Sequence, residues 1–178
     1  MISISQIFGS LTRAFRPLLA IAALALLTAC ASMSSNQLHG FEFNARQDSP
    51  DIMVLAFRYG EGQFALLDEN EARAARRGAQ MPMQTVGVGG FIQRGDTLYV
   101  KWKIKATGEI LEDTVDLKSR LPRDITKHDI YFRINGRQLV VFLITPERRP
   151  ANMPPIGPSK SDYRKTYQIY PGQPDYSK

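Results

Sequence analysis

Apolar residues recur at every second position through much of the chain between residues 38 and 146. The clearest segment is Thr97–Lys105, in which apolar residues alternate with three lysines and other polar or aromatic positions. A period of two is typical of a strand that buries one face and leaves the other in water. The pattern therefore predicts a half-buried strand whose exposed row carries the lysines.

A turn signal follows this strand directly. Thr107-Gly108 is a two-residue hairpin turn in the predicted pairing. It sets Ile104 opposite Leu111 and Lys103 opposite Glu112, so that apolar side chains meet on one face and opposite charges meet on the other. This agreement predicts an antiparallel hairpin.

A second hairpin is predicted about Asn135-Gly136, which is the strongest short turn signal in the chain. A type I′ turn needs positive φ at both central positions, and Asn-Gly supplies it. The pairing sets Phe132 opposite Leu139. The returning strand, Leu139–Ile144, is apolar at every position, which is typical of a central strand covered on both faces.

Three further stretches have strand character: Leu38–Asn44, Ile52–Tyr59 and Thr85–Ile92. Only Asp68–Arg77 has the pattern of a helix, because acidic residues begin it and arginines end it, in accord with the helix dipole. About seven short strands with at most one short helix predict an all-β fold. The predicted architecture is an antiparallel β-sandwich or a partly open barrel, within a β domain of residues 38–146.

The composition changes from Pro146 onward. Seven of the eleven prolines and four of the seven tyrosines fall in the last 33 residues. Proline cannot donate a ladder hydrogen bond, so no central strand is expected here. Two alternatives remain open for residues 147–178: a disordered tail, or an extended arm whose tyrosines dock on the sandwich.

The N-terminus has the pattern of a secretory signal. Arg13 and Arg16 precede Leu18–Ala29, a run of apolar and small residues broken only by Thr28. The run is much shorter than the roughly 20 residues of a membrane-spanning helix. Its end, together with the next residue, reads Leu-Thr-Ala-Cys and resembles the lipobox of bacterial lipoproteins, which makes Cys30 the modified residue.

The lipobox resemblance implies cleavage after residue 29, a diacylglycerol on the Cys30 sulfur, and acylation of the new amino terminus. Two or more acyl chains hold a protein lastingly at a membrane. Residues 30–37 would then be a short polar tether. Gram-negative lipoproteins retained in the inner membrane carry Asp after the cysteine, so Ala31 points to the outer membrane, facing the periplasm. The alternatives are an ordinary cleaved signal with an incidental cysteine, or an uncleaved short membrane helix.

Composition and charge limit the bonds, metal sites and partners that this chain can have. A single cysteine excludes an internal disulfide and a cysteine-based metal cluster. The net charge of +6 comes from 23 basic and 17 acidic residues that are interspersed along the chain, which does not favour a nucleic-acid partner.

No catalytic or cofactor motif is assembled in the sequence. His39 and His128 are too few and too far apart in the sequence to predict a metal site. The chain has no nucleophile elbow, and the glycines of Thr85–Ile92 are not followed by a phosphate-binding helix. We therefore expect no enzyme activity, no cofactor and no metal.

Two basic clusters are the candidate partner-binding residues. They are the strand row Tyr99, Lys101, Lys103 and Lys105, and the arginines Arg73, Arg76 and Arg77 of the predicted helix. Basic and aromatic side chains on a rigid strand suit an acidic protein surface, and the arginines suit an acidic partner or lipid headgroups. The alternative is a solvated sheet face whose lysines are balanced by Glu112 and Asp116.

The lipobox is followed along the chain by three further motifs. They are a glycine-rich strand at Thr85–Ile92, the strand Gly-Asp-Thr-Leu-Tyr-Val-Lys-Trp at 95–102, and the stretch Val115–Pro122. In this layout the chain resembles small β-rich lipoproteins that act as periplasmic immunity proteins against phospholipase effectors of type VI secretion. The resemblance covers about residues 38–146 and implies a membrane-anchored, non-catalytic protein-binding module. The alternative is a structural or assembly lipoprotein of the outer envelope, or a carrier of a small apolar ligand.

Overall fold

The computed structural model describes residues 36–61, 64–66 and 84–176. These residues belong to one compact unit that spans Ser35–Lys178. The signal peptide, Cys30 and the predicted helix Asp68–Arg77 lie outside the described residues.

The described residues contain nine strands, which form two sheets. The strands are β1 (Asn36–Asn44), β2 (Ile52–Tyr59), β3 (Phe64–Leu66), β4 (Thr85–Gln93), β5 (Thr97–Ile104), β6 (Ile110–Asp116), β7 (Asp129–Asn135), β8 (Gln138–Arg148) and β9 (Arg164–Tyr170). One sheet, called sheet A, has the order β4-β1-β7-β8-β9, and the other, sheet B, has the order β3-β2-β5-β6. A one-turn helix, α1 (Ala45–Asp48), and a 3-10 turn at Ser159–Asp162 complete the described elements.

The predicted all-β class and sandwich architecture are confirmed, with two separate sheets packed face to face. One pairing differs from the antiparallel expectation, because β1 and β7 run parallel, with Gly40 beside Asp129. Between these two strands the chain forms β2 and β3 of sheet B, β4 of sheet A, and β5 and β6 of sheet B, so β1 and β7 are neighbours that no hairpin connects.

Stacked aromatic rings fill the centre of the sandwich. Phe41 of β1 lies 5.6 Å from Phe57 of β2, and Phe43 lies 4.5 Å from Phe132 of β7, measured between ring centroids. Trp102 of β5 is 2% exposed, and its indole N–H donates to the carbonyl of Gly136 at 3.0 Å. The Phe41–Phe57 contact joins a strand of sheet A to a strand of sheet B, and the Trp102 hydrogen bond joins sheet B to the turn between β7 and β8 of sheet A.

The first hairpin is present, but its predicted register is wrong by two residues. The connection is a longer loop, and Trp102 lies opposite Leu111 while Lys101 lies opposite Glu112. A shift of two leaves every side chain on its predicted face. The predicted register would set Trp102 opposite Asp113. The observed register sets Trp102 opposite Leu111 and Asp113 opposite Val100, and the Tyr170 hydroxyl donates to Asp113 at 2.8 Å.

The second hairpin is also shifted by two. Its central residues are Gly136-Arg137, and Phe132 lies opposite Val141 instead of Leu139. Gly136 has a φ of +59°, whereas Arg137 is not at positive φ. Positive φ at the first central position alone matches a type II′ turn, in which glycine takes that position and Asn135 becomes the last residue of the ladder. The prediction that the returning strand is covered on both faces is confirmed, since Leu139–Ile144 is buried throughout.

The segment after β8 lies on the outer face of sheet A. Residues 149–163, here called the arm, place Ile156 against a buried cluster that includes Phe142. Gly157 has a φ of +75°, and a Cβ at that position would lie 2.6 Å from the Phe142 ring. β9 then pairs with β8 as an edge strand, so the docked alternative describes this segment through residue 176.

Candidate functional site

The outer face of sheet B carries the predicted lysine row. Tyr99, Lys101 and Lys103 lie along β5, and Arg58 of the neighbouring β2 lies directly opposite Tyr99. These four residues are called the basic face below. Sequence reasoning missed Arg58, although it is the only charged residue in the Ile52–Tyr59 pattern and occupies an exposed position of that alternation.

One carboxylate lies within the basic face. The Tyr99 hydroxyl donates to Glu112 Oε2 at 2.8 Å, and Lys101 Nζ lies 3.5 Å from the same oxygen. The hydrogen bond from Tyr99, and then the charge of Lys101, lower the pKa of Glu112, which stays ionised. Burial and this hydrogen bond raise the pKa of Tyr99, which stays neutral. Glu112 therefore orients the centre of the face and partly neutralises Lys101.

Among the described residues, the remaining cations of the face have no carboxylate partner of this kind. The ion pairs found among the described residues include neither Lys103 nor Arg58. The Arg58 guanidinium lies 5.9 Å from the centre of the Tyr99 ring, at the outer limit of a cation–π contact. Asp116, the second acidic residue expected here, accepts hydrogen bonds from Ser119 Oγ at 2.9 Å and from a backbone N–H, and so points into the following turn.

The last lysine of the predicted row has a different environment. Lys105 follows the end of β5, and its ammonium donates to the carbonyl of Pro50 at 2.6 Å. It therefore holds the segment before β2 and is not aligned with the strand row. Two apolar residues flank Lys103 instead, namely Met53 on one side and Ile110, which is 55% exposed, on the other.

One end of the basic face is concave. An open depression of about 280 Å³ is lined by Arg58, Gly60, Glu61 and Thr97. Its lining places one cation and one carboxylate beside backbone atoms, which suits hydrogen bonding to a polar side chain. The second predicted cluster, Arg73, Arg76 and Arg77, lies outside the described residues, as does Cys30.

The two histidines lie in different environments. His39 is 3% exposed, and its Nε2 lies 2.9 Å from the Tyr59 hydroxyl across the two sheets. Burial is the main cause that lowers the pKa of His39, and burial raises the pKa of Tyr59 to about 12. His128 lies in the loop before β7, with Nδ1 3.0 Å from the carbonyl of Thr126. The described residues contain no group of three or more His, Cys, Asp or Glu that could hold an ion.

Among the residues the structure describes, no helix has both the length and the hydropathy needed to cross a bilayer. Comparisons of the chain with protein-family models, with curated proteins and with solved structures find no match in any of the three.

Proposed function

We propose that this chain is a lipid-anchored protein of the periplasm that acts as a non-catalytic binding module, and that the basic face binds an acidic surface of its protein partner. The observation that carries the proposal is the arrangement of Arg58, Lys101 and Lys103 around Tyr99, whose hydroxyl is held by Glu112. Complementary charge speeds the encounter with a partner and selects against wrong ones.

The face is also suited to binding by its rigidity. β5 is hydrogen-bonded on both sides, to β2 and β6, and its inner side chains Leu98, Val100 and Trp102 are buried. The backbone beneath the basic face is therefore ordered before any partner arrives, which reduces the ordering cost of association. Tyr and Arg are also residue types that often dominate interface energies.

The finer proposal is that the partner is a type VI secretion lipase effector and that the chain is its immunity protein. The lipobox at Cys30 and the order of strand motifs support it. A lipase toxin acts on membrane lipid, so an inhibitor held at the periplasmic surface by a lipid anchor waits where the toxin arrives. The carrier alternative is less favoured, because the aromatic rings of Phe41, Phe57 and Phe132 occupy the space between the sheets.

The test uses charge reversal on the face. Cells that produce a periplasm-directed lipase effector encoded beside this chain are given the wild type, the double variant Lys101→Glu/Lys103→Glu, or Arg148→Glu. Arg148 is exposed and lies in sheet A, so its reversal is a single-charge control away from the face. We expect protection by the wild type and Arg148→Glu and its loss in the double variant. Equal protection by all three would refute the assignment of the face, and no protection by the wild type would refute the immunity role.

The anchor is tested separately with labelled palmitate. The wild type is expected to incorporate label and Cys30→Ser is expected not to. Equal labelling of both proteins would contradict lipidation at Cys30.

A further inference from the structure

β4 is an edge strand of sheet A without the usual protection against pairing. Exposed edges are normally protected by charged residues, proline or bulges. The other long edge strands follow this rule, because β6 contains three acidic residues and β9 contains two basic ones. β4 has the sequence Thr-Val-Gly-Val-Gly-Gly-Phe-Ile-Gln, with no charge and no proline, and its pairing with β1 is continuous over nine positions. Among the described residues, no strand pairs with its free edge.

The direction of its backbone groups follows from the ladder. Opposite residues in an antiparallel pair alternate between hydrogen-bonded and non-hydrogen-bonded pairs. The N–H of Ala45 donates to the carbonyl of Gln84 at 2.8 Å, which makes this a hydrogen-bonded pair. The even-numbered residues of β4 therefore bond to β1, and the odd-numbered residues from Thr85 to Gln93 direct N–H and C=O to the free edge. The N–H of Gly40, opposite Gly89, agrees with this assignment because it donates to His128 on the other side of β1.

The odd-numbered positions include two glycines and an exposed phenylalanine. A Cβ at Gly87 would meet no atom within 4 Å, and one at Gly89 would meet only a carbonyl oxygen at 3.9 Å. Neither glycine has a φ in the left-handed region, so neither backbone conformation nor packing among the described residues requires them. Glycine weakens a strand interior and often marks the close approach of another backbone. Phe91 follows on the same face and is 75% exposed.

We propose that two copies of this chain pair through β4 about a two-fold axis at Gly89. In that register the odd-numbered residues form hydrogen-bonded pairs across the axis, namely Gly89 with Gly89, Gly87 with Phe91, and Thr85 with Gln93. Each exposed Phe91 ring covers the Gly87 of the other copy, an arrangement in which an aromatic ring compensates for a neighbouring glycine. The strand is thus self-complementary, as a two-fold interface must be.

The opposite face of the strand agrees with the same register. Val86 meets Ile92 of the second copy, and Val88 meets Gly90, so the inner face remains apolar across the axis. No like charges are brought together, because β4 has none. Pairing converts two five-stranded sheets into one continuous sheet and leaves the basic face of sheet B free, so the inference does not depend on the proposed function.

Cysteine substitution tests the register directly. Cα atoms in a hydrogen-bonded antiparallel pair are about 5.5 Å apart, within the range of about 4.4–6.8 Å that a disulfide spans. The full chain with Gly89→Cys, oxidised mildly in membranes, is expected to form a disulfide-linked dimer. Gly87→Cys is the matched control, since the two copies of residue 87 lie roughly 14 Å apart along the strands. Both substitutions fit the space around their positions.

A mixed experiment completes the test. Gly87→Cys and Phe91→Cys are expected to remain unlinked when expressed separately and to form a linked dimer when expressed together. The wild type, which has only Cys30, measures any background. The proposal is overturned if Gly89→Cys does not form a linked dimer, or if it is linked to a different protein instead of a second copy. It is also overturned if Gly87→Cys and Gly89→Cys are linked equally, or if the mixed pair of Gly87→Cys and Phe91→Cys stays unlinked.

Discussion

Replacement of Gly157 by alanine tests whether the arm is packed tightly on sheet A. Gly157 has a φ of +75°, and its Cβ would lie 2.6 Å from the ring of Phe142, which is 1% exposed. Two costs therefore add in this variant. One is the conformational cost of an L-residue at positive φ, and the other is the overpacking of a ring that has no free space to move into.

The magnitude follows from these two terms. A non-glycine residue in the left-handed region costs about 1–2 kcal/mol. Overpacking a buried site costs about 1–3 kcal/mol. Gly157→Ala should therefore reduce the free energy of unfolding by about 2–5 kcal/mol. Gly172→Ala is the matched control, because Gly172 also has positive φ, +91°, but its Cβ would meet nothing within 4 Å. It should cost only about 1–2 kcal/mol.

Urea denaturation followed by tryptophan fluorescence measures both variants. Trp102 is the only tryptophan and is 2% exposed, so its emission reports the opening of the core. The difference between the two variants isolates the contact between the arm and Phe142. If Gly157→Ala and Gly172→Ala are destabilised equally, the arm is not packed against Phe142 and the reasoning is refuted.

Two further perturbations address polar side chains that contact sheet A. Burial lowers the pKa of His39 from its ordinary value of 6.5, so this imidazole binds a proton more readily in the unfolded chain than in the folded one. The free energy of unfolding therefore includes the full contribution of neutral His39 above pH 6.5 and loses it as the pH falls below 6.5. The urea midpoint of His39→Gln should therefore change less between pH 7 and pH 5 than the midpoint of the wild type. An equal change in both proteins would contradict this. Lys160→Met removes the ion pairs to Glu42 and Asp129, the latter at 2.9 Å, that hold the end of the arm against sheet A. The loss should cost roughly 1 kcal/mol, less than the roughly 1.5–3 kcal/mol of a hydrogen bond to a charged group, because these groups are partly exposed. The variant should also be cleaved faster within residues 149–163 by added protease. Cleavage at the wild-type rate would count against this role of Lys160.

Local patterns identified most of the strands. The alternation in Thr97–Lys105 predicted β5 to within one residue, and Ile52–Tyr59 coincides with β2. The apolar run Leu139–Ile144 correctly predicted a strand buried on both faces. These predictions succeed because the period of a strand and the burial of its faces depend on side chains that are neighbours in the sequence.

The two hairpin registers show where local information ends. A shift of two residues leaves every side chain on the same face, so the alternating pattern does not distinguish the predicted registers from the observed ones. In the observed register Asp113 accepts a hydrogen bond from Tyr170, which lies 57 residues away and belongs to the other sheet, so a contact between the sheets favours this register. The turn at Gly136 likewise follows the pairing of the whole ladder more than its Asn-Gly signal.

The sequence by itself determined the β class, most strand positions, the candidate anchor at Cys30 and the exposed lysines of β5. The tertiary structure decided that Arg58 joins Tyr99 on one face, that β1 and β7 run parallel, and that the arm covers Phe142. Each of these joins residues that are far apart in the sequence, and such contacts depend on how the two sheets pack as a whole. Patterns of neighbouring residues specify which face of a strand is buried, whereas packing between sheets specifies what covers it.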